Sequence, residues 1–561
     1  MPLTTWNGRL QGLGGGGYTG SIGYAALAGA LRLGYVAANT DMGTAPSTGG
    51  NGTAIIGHPE KWLDFGVRST HEMTVAAKSV LQAFYGKGPD HSYFVGCSTG
   101  GHQGLEEAQV FPHDYDGIVA GAPGHNRTHL HATFVSDWVV SHKAPGSVIS
   151  PPKLTMLHNA VIAQCQGKDG GLATDRFLND PRDCGFDVTA LQCTHGDGPD
   201  CLTSSEIVTA KHMYGGLRNT RTQELIYPGW ALGSELGWTL TQGGAQPAFP
   251  GILDWALDSG YDALSLNFDS DMATVDATLA PTVNFMNSDI SRFAARGGKL
   301  LMYHGFADPI VSTQDTINYY KRMMSEQRLT LRELQSFARL FLAPGMGHCS
   351  GGDGPNNFDK LSPLVNWVEK GAAPDSLVAT KFANNDATMP VEMTRPLCAF
   401  PREARFSGSG DANTAANWHC VDSGRDEPPQ AIPARVYLSP LIVQAHAAPS
   451  RVDLRSTAGL VTVVLHAPHG SDSFSDWVPG NIKAEGASPV IAARSADARS
   501  FVVSFKRSDL SGFLRGRVSG EPVDLMLTGT LRHDGAQSLF AASATITPLN
   551  HGGERESHDH E

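Results

Sequence analysis

Gly96-Cys97-Ser98-Thr99-Gly100 stands between a short apolar run, Tyr93-Phe94-Val95, and a stretch of helical period. Strand, sharp turn with an exposed serine, then helix is the layout of a nucleophile elbow. The flanking positions are glycines because a side chain there would meet the neighbouring strand or helix. A serine hydroxyl is a poor nucleophile until a base takes its proton, and the base needs an orienting carboxylate. On elbows of this kind the three follow in the order Ser, Asp, His. Downstream, the run 299–303 leads into His304-Gly305-Phe306-Ala307-Asp308, and the run 339–343 leads into Pro344-Gly345-Met346-Gly347-His348-Cys349. Both loops follow strands, where the catalytic loops of an open α/β sheet lie. Asp308 is read as the orienter and His348 as the general base. His304 competes with His348, and His102 lies close to the serine in sequence. Among 22 histidines the pattern alone leaves that choice open.

The eight cysteines bear on it. None forms a Cys-x-x-Cys pair, which disfavours a zinc ribbon or a thioredoxin motif. Six pair off locally: Cys165 with Cys184, Cys193 with Cys201, Cys398 with Cys420. Cys97 and Cys349 are left for each other, and they border the serine and His348. A bridge between them would tie the nucleophile loop to the base loop and favours His348. An even, paired cysteine count fits an oxidising compartment, so a secreted or periplasmic location is expected. The chain opens Met1-Pro2-Leu3-Thr4-Thr5-Trp6 without a charged or apolar leader. Export signalled elsewhere, or a start upstream of Met1, is the expectation.

These groups need a scaffold. Residues 1–149 alternate strand-like and helix-like segments: a strand at 33–39, a helix at 71–85, the elbow, a helix through Gln109 and a strand at 117–121. From Gly298 the alternation resumes, with strands at 299–303 and 339–343 and helices at 313–324 and 361–370. Such alternation implies an α/β, mainly parallel sheet. Residues 150–290 break the pattern; with four cysteines and Trp230, Trp238 and Trp255 they read as an insertion with its own disulfide-stapled core. Residues 422–435 read as a linker. Runs at 459–466, 500–506, 522–529 and 538–546 are β-rich, giving a sandwich-like domain over 436–548. The polar tail 549–561 is expected to be disordered.

Composition narrows the function. The chain has 561 residues, enough for two or three domains. Its 64 glycines exceed the usual share of about 7% and indicate many turns. A net charge of −13 with no basic stripe disfavours nucleic acid. No run approaches the ~20 apolar residues that span a bilayer. Asn51-Gly52-Thr53 and Asn126-Arg127-Thr128 fit a glycosylation sequon.

Taken together, Gly96-Cys97-Ser98-Thr99-Gly100-Gly101, His304-Gly305-x-x-Asp308 and Gly347-His348-Cys349 resemble the tannase/feruloyl esterase family, which includes mono(2-hydroxyethyl) terephthalate hydrolase. Trp6-Asn7-Gly8-Arg9, Asp64-Phe65-Gly66, His71-Glu72-Met73-Thr74, the stretch from Asp116 to Pro123, and Arg395-Pro396-Leu397-Cys398 extend the resemblance over about 5–421. It implies an α/β-hydrolase fold, with 1–149 and 291–421 as the catalytic domain and 150–290 as an inserted lid. It implies an oxyanion hole made by the backbone N–H of Thr99 and a second N–H from the glycine run 14–17, placed at Gly15. It also implies a structural calcium in the loop after Cys165, held by Asp169, Asp175 and the carbonyl of Phe177. Here Gln166 replaces the family's first aspartate and the loop is about two residues longer. No catalytic cofactor is implied. The expected partner is a small aromatic ester or a plant-polymer-linked ester: gallate, ferulate or a terephthalate monoester. Tyr227, Trp230 and Trp238 could be lid contacts, although core packing is the plainer reading for each. Peptidase or lipase chemistry on the same fold, and a non-catalytic binding protein, are the alternatives. The β-rich region after 430 lies outside the family pattern, and the oligomeric state is left open.

Overall fold

Six short apolar segments pair side by side, all parallel, in the computed structural model: β1 (Arg9–Leu13), β2 (Val36–Asn39), β3 (His91–Cys97), β4 (Gly117–Gly121), β5 (Lys299–Gly305) and β6 (Ala338–Ala343), in the order β2-β1-β3-β4-β5-β6. Residues of β4 are buried throughout and those of β5 nearly so. That is the pattern of strands covered on both faces, and it explains their near-continuous apolar sequence. The register sets Cys97 beside Gly121 and Gly121 beside Tyr303. The chain passes from β1 out to β2 and returns beyond β1 to β3. The strand order therefore reverses between β1 and β3, and the loops leaving these two strands open a crevice there. The glycine run after β1 and the serine after β3 both lie at that point.

Helices α1 (Thr99–Val110), α2 (Arg127–His142) and α3 (Thr313–Glu326) follow β3, β4 and β5. Residues 150–290 contain the helices Pro151–Cys165, Ser204–Gly215 and Ser270–Val283. The expectation of a separate core for this insertion is corrected. Leu157, Trp230 and Trp238 share one apolar cluster with Tyr18, Met42 and Phe65 of the N-terminal loops. The Tyr18 hydroxyl donates to the Phe249 carbonyl at 3.0 Å and accepts the Ile252 N–H at 3.0 Å. Trp255 Nε1 donates to the Gly52 carbonyl at 2.8 Å. These buried polar contacts pin the insertion to the first 65 residues.

The described residues are 1–257, 260–425, 428–430 and 441–549, the last range without 444, 454–457, 468–473, 476, 485–486, 515–518, 521 and 534–535. Residues 426–427 and 431–435 of the linker reading, the first five of the sandwich reading and the tail from 550 fall outside them. By contact the chain divides into two units, residues 1–70 with 91–439 and residues 71–90 with 440–561. The second unit carries the strands Leu460–His466, Ser500–Lys506, Val523–His533 and Ala536–Leu549. They belong to two sheets, and Val463 and Val503 of one share a core with Leu527 and Ala544 of the other. Residues 71–90 hold most of the helix Ser69–Tyr85. Of the two sequon asparagines, Asn126 is buried and Asn51 exposed.

Candidate active site

Ser98 sits between β3 and α1 with φ 63° and ψ −119°, a left-handed conformation that a non-glycine residue holds only under constraint. The constraint is visible on all sides. Its N–H donates to the Gly121 carbonyl at 3.0 Å, and its carbonyl accepts the His102 N–H at 3.0 Å and the Gly124 N–H at 3.2 Å. Gly96, Gly100 and Gly14 meet backbone to backbone: a Cβ on Gly96 would fall 2.3 Å from the Gly100 carbonyl oxygen, and one on Gly14 2.5 Å from Gly100 Cα. Only glycine permits that approach, and it brings the loop after β1 against the elbow.

The candidate acid and base follow β5 and β6. His348 Nδ1 and Asp308 Oδ2 are 2.7 Å apart. His304 Nε2 approaches the same oxygen at 3.0 Å and the Val311 carbonyl at 2.9 Å. Two acceptors around one nitrogen require Nε2 of His304 to carry the proton. Its Nδ1 meets Thr316 Oγ1 of α3 at 2.8 Å. His304 is therefore fully buried with both nitrogens occupied, whereas His348 is partly exposed. Burial thus sets His304 apart from His348, the base that the cysteine pairing favours in sequence. Asp308 also accepts the Ile310 N–H at 2.8 Å and the Val311 N–H at 3.0 Å on Oδ1. Burial alone would raise the Asp308 carboxyl, but the charge and hydrogen bonds of His348 and His304 hold it well below the usual range. His102 is buried in α1, and burial holds it neutral, well below the ordinary histidine value.

Cys97 and Cys349 form a disulfide with Cα atoms 6.0 Å apart. The others pair Cys165 with Cys184, Cys193 with Cys201 and Cys398 with Cys420. Ser98, His348, Cys97 and Cys349 line one cavity of about 480 Å³, together with Gly16, Gly17 and Arg127. Its walls are apolar: Leu130, Phe134, Phe249, Ile310 and Val311. The Ser98 hydroxyl makes no hydrogen bond among the described residues, and contacts of this type tighten when substrate binds. His348 also borders a second cavity of about 370 Å³ with Phe177, Leu236, Phe306 and Pro309.

Two N–H groups must converge on an oxyanion. Thr99 opens α1, so its N–H has no intrahelical acceptor. Gly15 does not match its expected part. Its N–H donates to Gln103 Oε1 at 2.8 Å, and it is absent from the cavity lining, whereas Gly16 is on it. Gln103 stands one helical turn beyond Thr99 and so faces back toward the glycine run. A hydrogen-bonded chain joins the two halves of the crevice: Arg127 Nη2 donates to Thr99 Oγ1 at 3.1 Å, and Thr99 Oγ1 donates to the Gly17 carbonyl at 2.6 Å. The sequence reading places Arg127 only inside a sequon and gives it no part in the site. The signal available was its position just past β4, on the same sheet end as the serine.

Tyr227, Trp230 and Trp238 are all buried. Trp230 Nε1 donates to Asp137 Oδ2 at 2.9 Å and Trp238 Nε1 to Ser234 Oγ at 3.0 Å. They belong to the core that the insertion shares with the N-terminal loops and do not line the cavity at Ser98.

Asp169 and Asp175 flank Gly171 and are both buried. Burial raises both carboxyls. Their oxygens are already engaged. Asp169 accepts the N–H groups of Gly171 and Asn179, and Asp175 accepts the Leu172 N–H at 3.1 Å and Arg395 Nη2 at 3.2 Å. Phe177 packs against Gly345 of the base loop. Calcium takes six to eight oxygens, and two carboxylates supply at most four. No third acidic side chain joins them at ligand spacing among the described residues. In the loop as placed the two carboxylates are balanced by N–H groups and Arg395, and a calcium shell would need the Phe177 carbonyl, further backbone carbonyls and water for its remaining oxygens. The one acidic group that does meet at ligand spacing, Asp180, Asp183 and Glu403, is paired with Arg182, Arg425 and Arg405. Incubation with EGTA followed by dialysis is therefore expected to leave the melting temperature unchanged. A drop of several degrees, reversed by added calcium, would restore the calcium reading.

An elbow serine, a histidine–aspartate pair and helix-end N–H groups at the switch point of a parallel sheet define an ester hydrolase of α/β-hydrolase-like fold, with further β-sheets in its C-terminal region. Residues 1–421 match the model of the tannase and feruloyl esterase family, and the chain belongs to that family. An esterase of Xanthomonas campestris pv. campestris is 34% identical, over 78% of this chain and 84% of the relative. Mono(2-hydroxyethyl) terephthalate hydrolase of Piscinibacter sakaiensis is also 34% identical, over 74% and 80%. The crystal structure of feruloyl esterase B from Aspergillus oryzae superposes with a TM-score of 0.69 at 30% identity, covering 74% of this chain and 86% of that one. No helix among the described residues is long and apolar enough to cross a membrane.

Proposed function

We propose that the protein hydrolyses carboxylic esters of aromatic acids, of the feruloyl or galloyl type, through an acyl-enzyme at Ser98. The observation that carries this is the Asp308–His348 pair bridged by Cys97–Cys349 to the elbow serine, on one apolar cavity. Ser98 Oγ attacks the ester carbon while His348 Nε2 takes its proton; the carbonyl π electrons move onto oxygen. The oxyanion sits on the N–H groups of Thr99 and Gly16, Gly16 replacing Gly15 for the reason given above. Collapse breaks the bond to the alcohol oxygen, which leaves with the proton from His348. Water then repeats the sequence on the acyl-enzyme and releases the acid. Asp308 holds the imidazole tautomer and stabilises the imidazolium. No cofactor enters these steps.

The apolar walls Leu130, Phe134 and Phe249 suit a ring-bearing group, and two cavities meeting at His348 give room for acid and alcohol portions on either side of the ester. Residues 150–290 serve as the lid that selects among such esters. The relatives' names support ferulate esters and a terephthalate monoester as substrates. Four disulfides support an extracytoplasmic location, secreted or periplasmic. The test is a panel of methyl ferulate, methyl gallate, mono(2-hydroxyethyl) terephthalate, a peptide amide and a long-chain lipid ester, with fluorophosphonate labelling of Ser98. Turnover is expected on at least one aromatic ester and on neither of the last two. Labelling without aromatic-ester turnover would reject the substrate class. No labelling of folded protein would reject the serine mechanism.

A further inference from the structure

Asp308 is 1% exposed. Among the described residues no lysine or arginine pairs with it; its partners of opposite charge type are two histidines, His304 and His348, both on Oδ2. The N–H groups of Ile310 and Val311 hold Oδ1 and so fix where the carboxylate sits. Oδ2 is left to face the base. A carboxylate oxygen offers about two lone-pair directions. His304 Nε2 donates into one at 3.0 Å, and His348 Nδ1 lies 2.7 Å away in the other. His304 is itself held at both ends, by the Val311 carbonyl and by Thr316 Oγ1 of α3. A buried chain, Thr316–His304–Asp308, therefore runs from α3 to the base. Gly305 lets it reach there: a Cβ on that residue would fall 2.2 Å from the Met346 carbonyl oxygen of the base loop. The other titratable groups packed around the chain are Tyr303 of β5, Tyr227 of the insertion and His125 after β4. Burial raises both phenols and lowers the imidazole, so all three are uncharged at neutral pH. Asp315 of α3 faces His125 at 3.7 Å.

We propose that His304 is a positioning residue for the reaction: through Asp308 Oδ2 it sets the direction of the His348 imidazole and tempers the pull of Asp308 on the imidazolium proton, and Thr316 holds it in that place. This rests on the ester-hydrolase reading and deepens it. The histidine that sequence offers as a rival base thus serves the base instead. The direction follows from the shared oxygen, because with one lone pair taken His348 has a single approach. The tempering follows from the donor, because a hydrogen bond to an anion lowers its basicity. With His304 gone, the carboxylate would hold the imidazolium proton harder, and His348 would be free to act as a base only at higher pH. A residue that merely fills space changes stability and leaves that pH alone.

The test compares His304→Leu, which removes the donor, with His304→Gln, whose amide nitrogen lies as many bonds from the backbone as Nε2. On the full-length protein, kcat and kcat/KM are measured against pH with the aromatic ester that the wild type turns over fastest. His304→Leu is expected to lower kcat by about 10- to 100-fold, the scale of a misdirected base, with KM little changed. The acid limb of its kcat/KM profile is expected to rise by about half a pH unit or more. His304→Gln should recover most of kcat and bring the limb back. Thr316→Val, which leaves Nδ1 without the hydroxyl, should move both readouts the same way by less. An acid limb unmoved in His304→Leu overturns the proposal, as do equal losses in the Leu and Gln variants with only the melting temperature lowered. If His304→Leu does not fold, Thr316→Val decides: a wild-type kcat and acid limb there overturn the proposal. In either case an active wild type keeps the hydrolase reading. If the wild type hydrolyses no ester and Ser98 takes no fluorophosphonate, both fall together.

Discussion

Ser98→Ala is expected to lower kcat on an aromatic ester by about 10⁵- to 10⁶-fold, the scale seen when a triad serine is removed from a hydrolase. The nucleophile and base act as one unit, so losing either removes nearly all that the pair contributes. What survives is the field of the Thr99 N–H and the cavity. The substitution should leave the fold intact, because the Ser98 hydroxyl has no hydrogen bond to lose among the described residues and the backbone contacts of the elbow remain. A sharper version uses Ser98→Gly. At φ 63° glycine removes strain on the order of 1 kcal/mol, so this inactive variant should melt above the wild type. Circular dichroism melts alongside steady-state rates would check both halves. More than about 1% residual activity in Ser98→Ala would falsify the nucleophile assignment.

The parts of this site legible in the sequence are those fixed within one strand–turn–helix unit. Tyr93 to Val110 reads correctly because the glycines that let the elbow form sit beside the serine they expose. Asp308 and His348 read from their places after apolar strands. His304 could not be separated from His348 that way, since both follow strand ends. Thr316, which comes from α3, and the Val311 carbonyl occupy both nitrogens of His304 and set it apart from His348. The choice of Gly15 over Gly16 depended on where one glutamine side chain reaches, and a four-glycine run carries no mark of it. Arg127 reads in sequence only as the middle of a sequon, because its hydrogen bond to Thr99 is a tertiary contact that no local pattern shows. The insertion's supposed private core failed for the same kind of reason. Trp230, Trp238 and Trp255 look self-sufficient in sequence, but their packing partners include residues some 200 positions earlier, such as Tyr18 and Gly52.

Replacing Cys97 and Cys349 together by alanine is expected to cost about 10²-fold or more in kcat/KM and roughly 5 kcal/mol in stability. The stability figure follows from loop closure over a separation of 252 residues. The activity figure follows from the base. His348 lies next to Cys349, whose φ of 64° places it in the left-handed region that a non-glycine residue leaves unless held. The bridge to Cys97 is a covalent hold on that conformation. Without it the residue can relax and turn the imidazole away from Ser98, and a misplacement near 1 Å costs on the order of a hundredfold. Other contacts keep the loop folded: the Ala307 N–H reaches the Met346 carbonyl at 2.9 Å, and the Gly347 N–H the Gly351 carbonyl at 3.0 Å. Geometry should therefore fail before the fold does. Both cysteines are half-buried and line the cavity, so a small thiol reductant can reach them in the native protein. Activity should then fall at temperatures where the circular dichroism spectrum is unchanged, and reoxidation should return it. Full activity in protein whose two thiols are shown free by mass spectrometry would mean that the Asp308 hydrogen bond and the loop contacts alone set the position of the base.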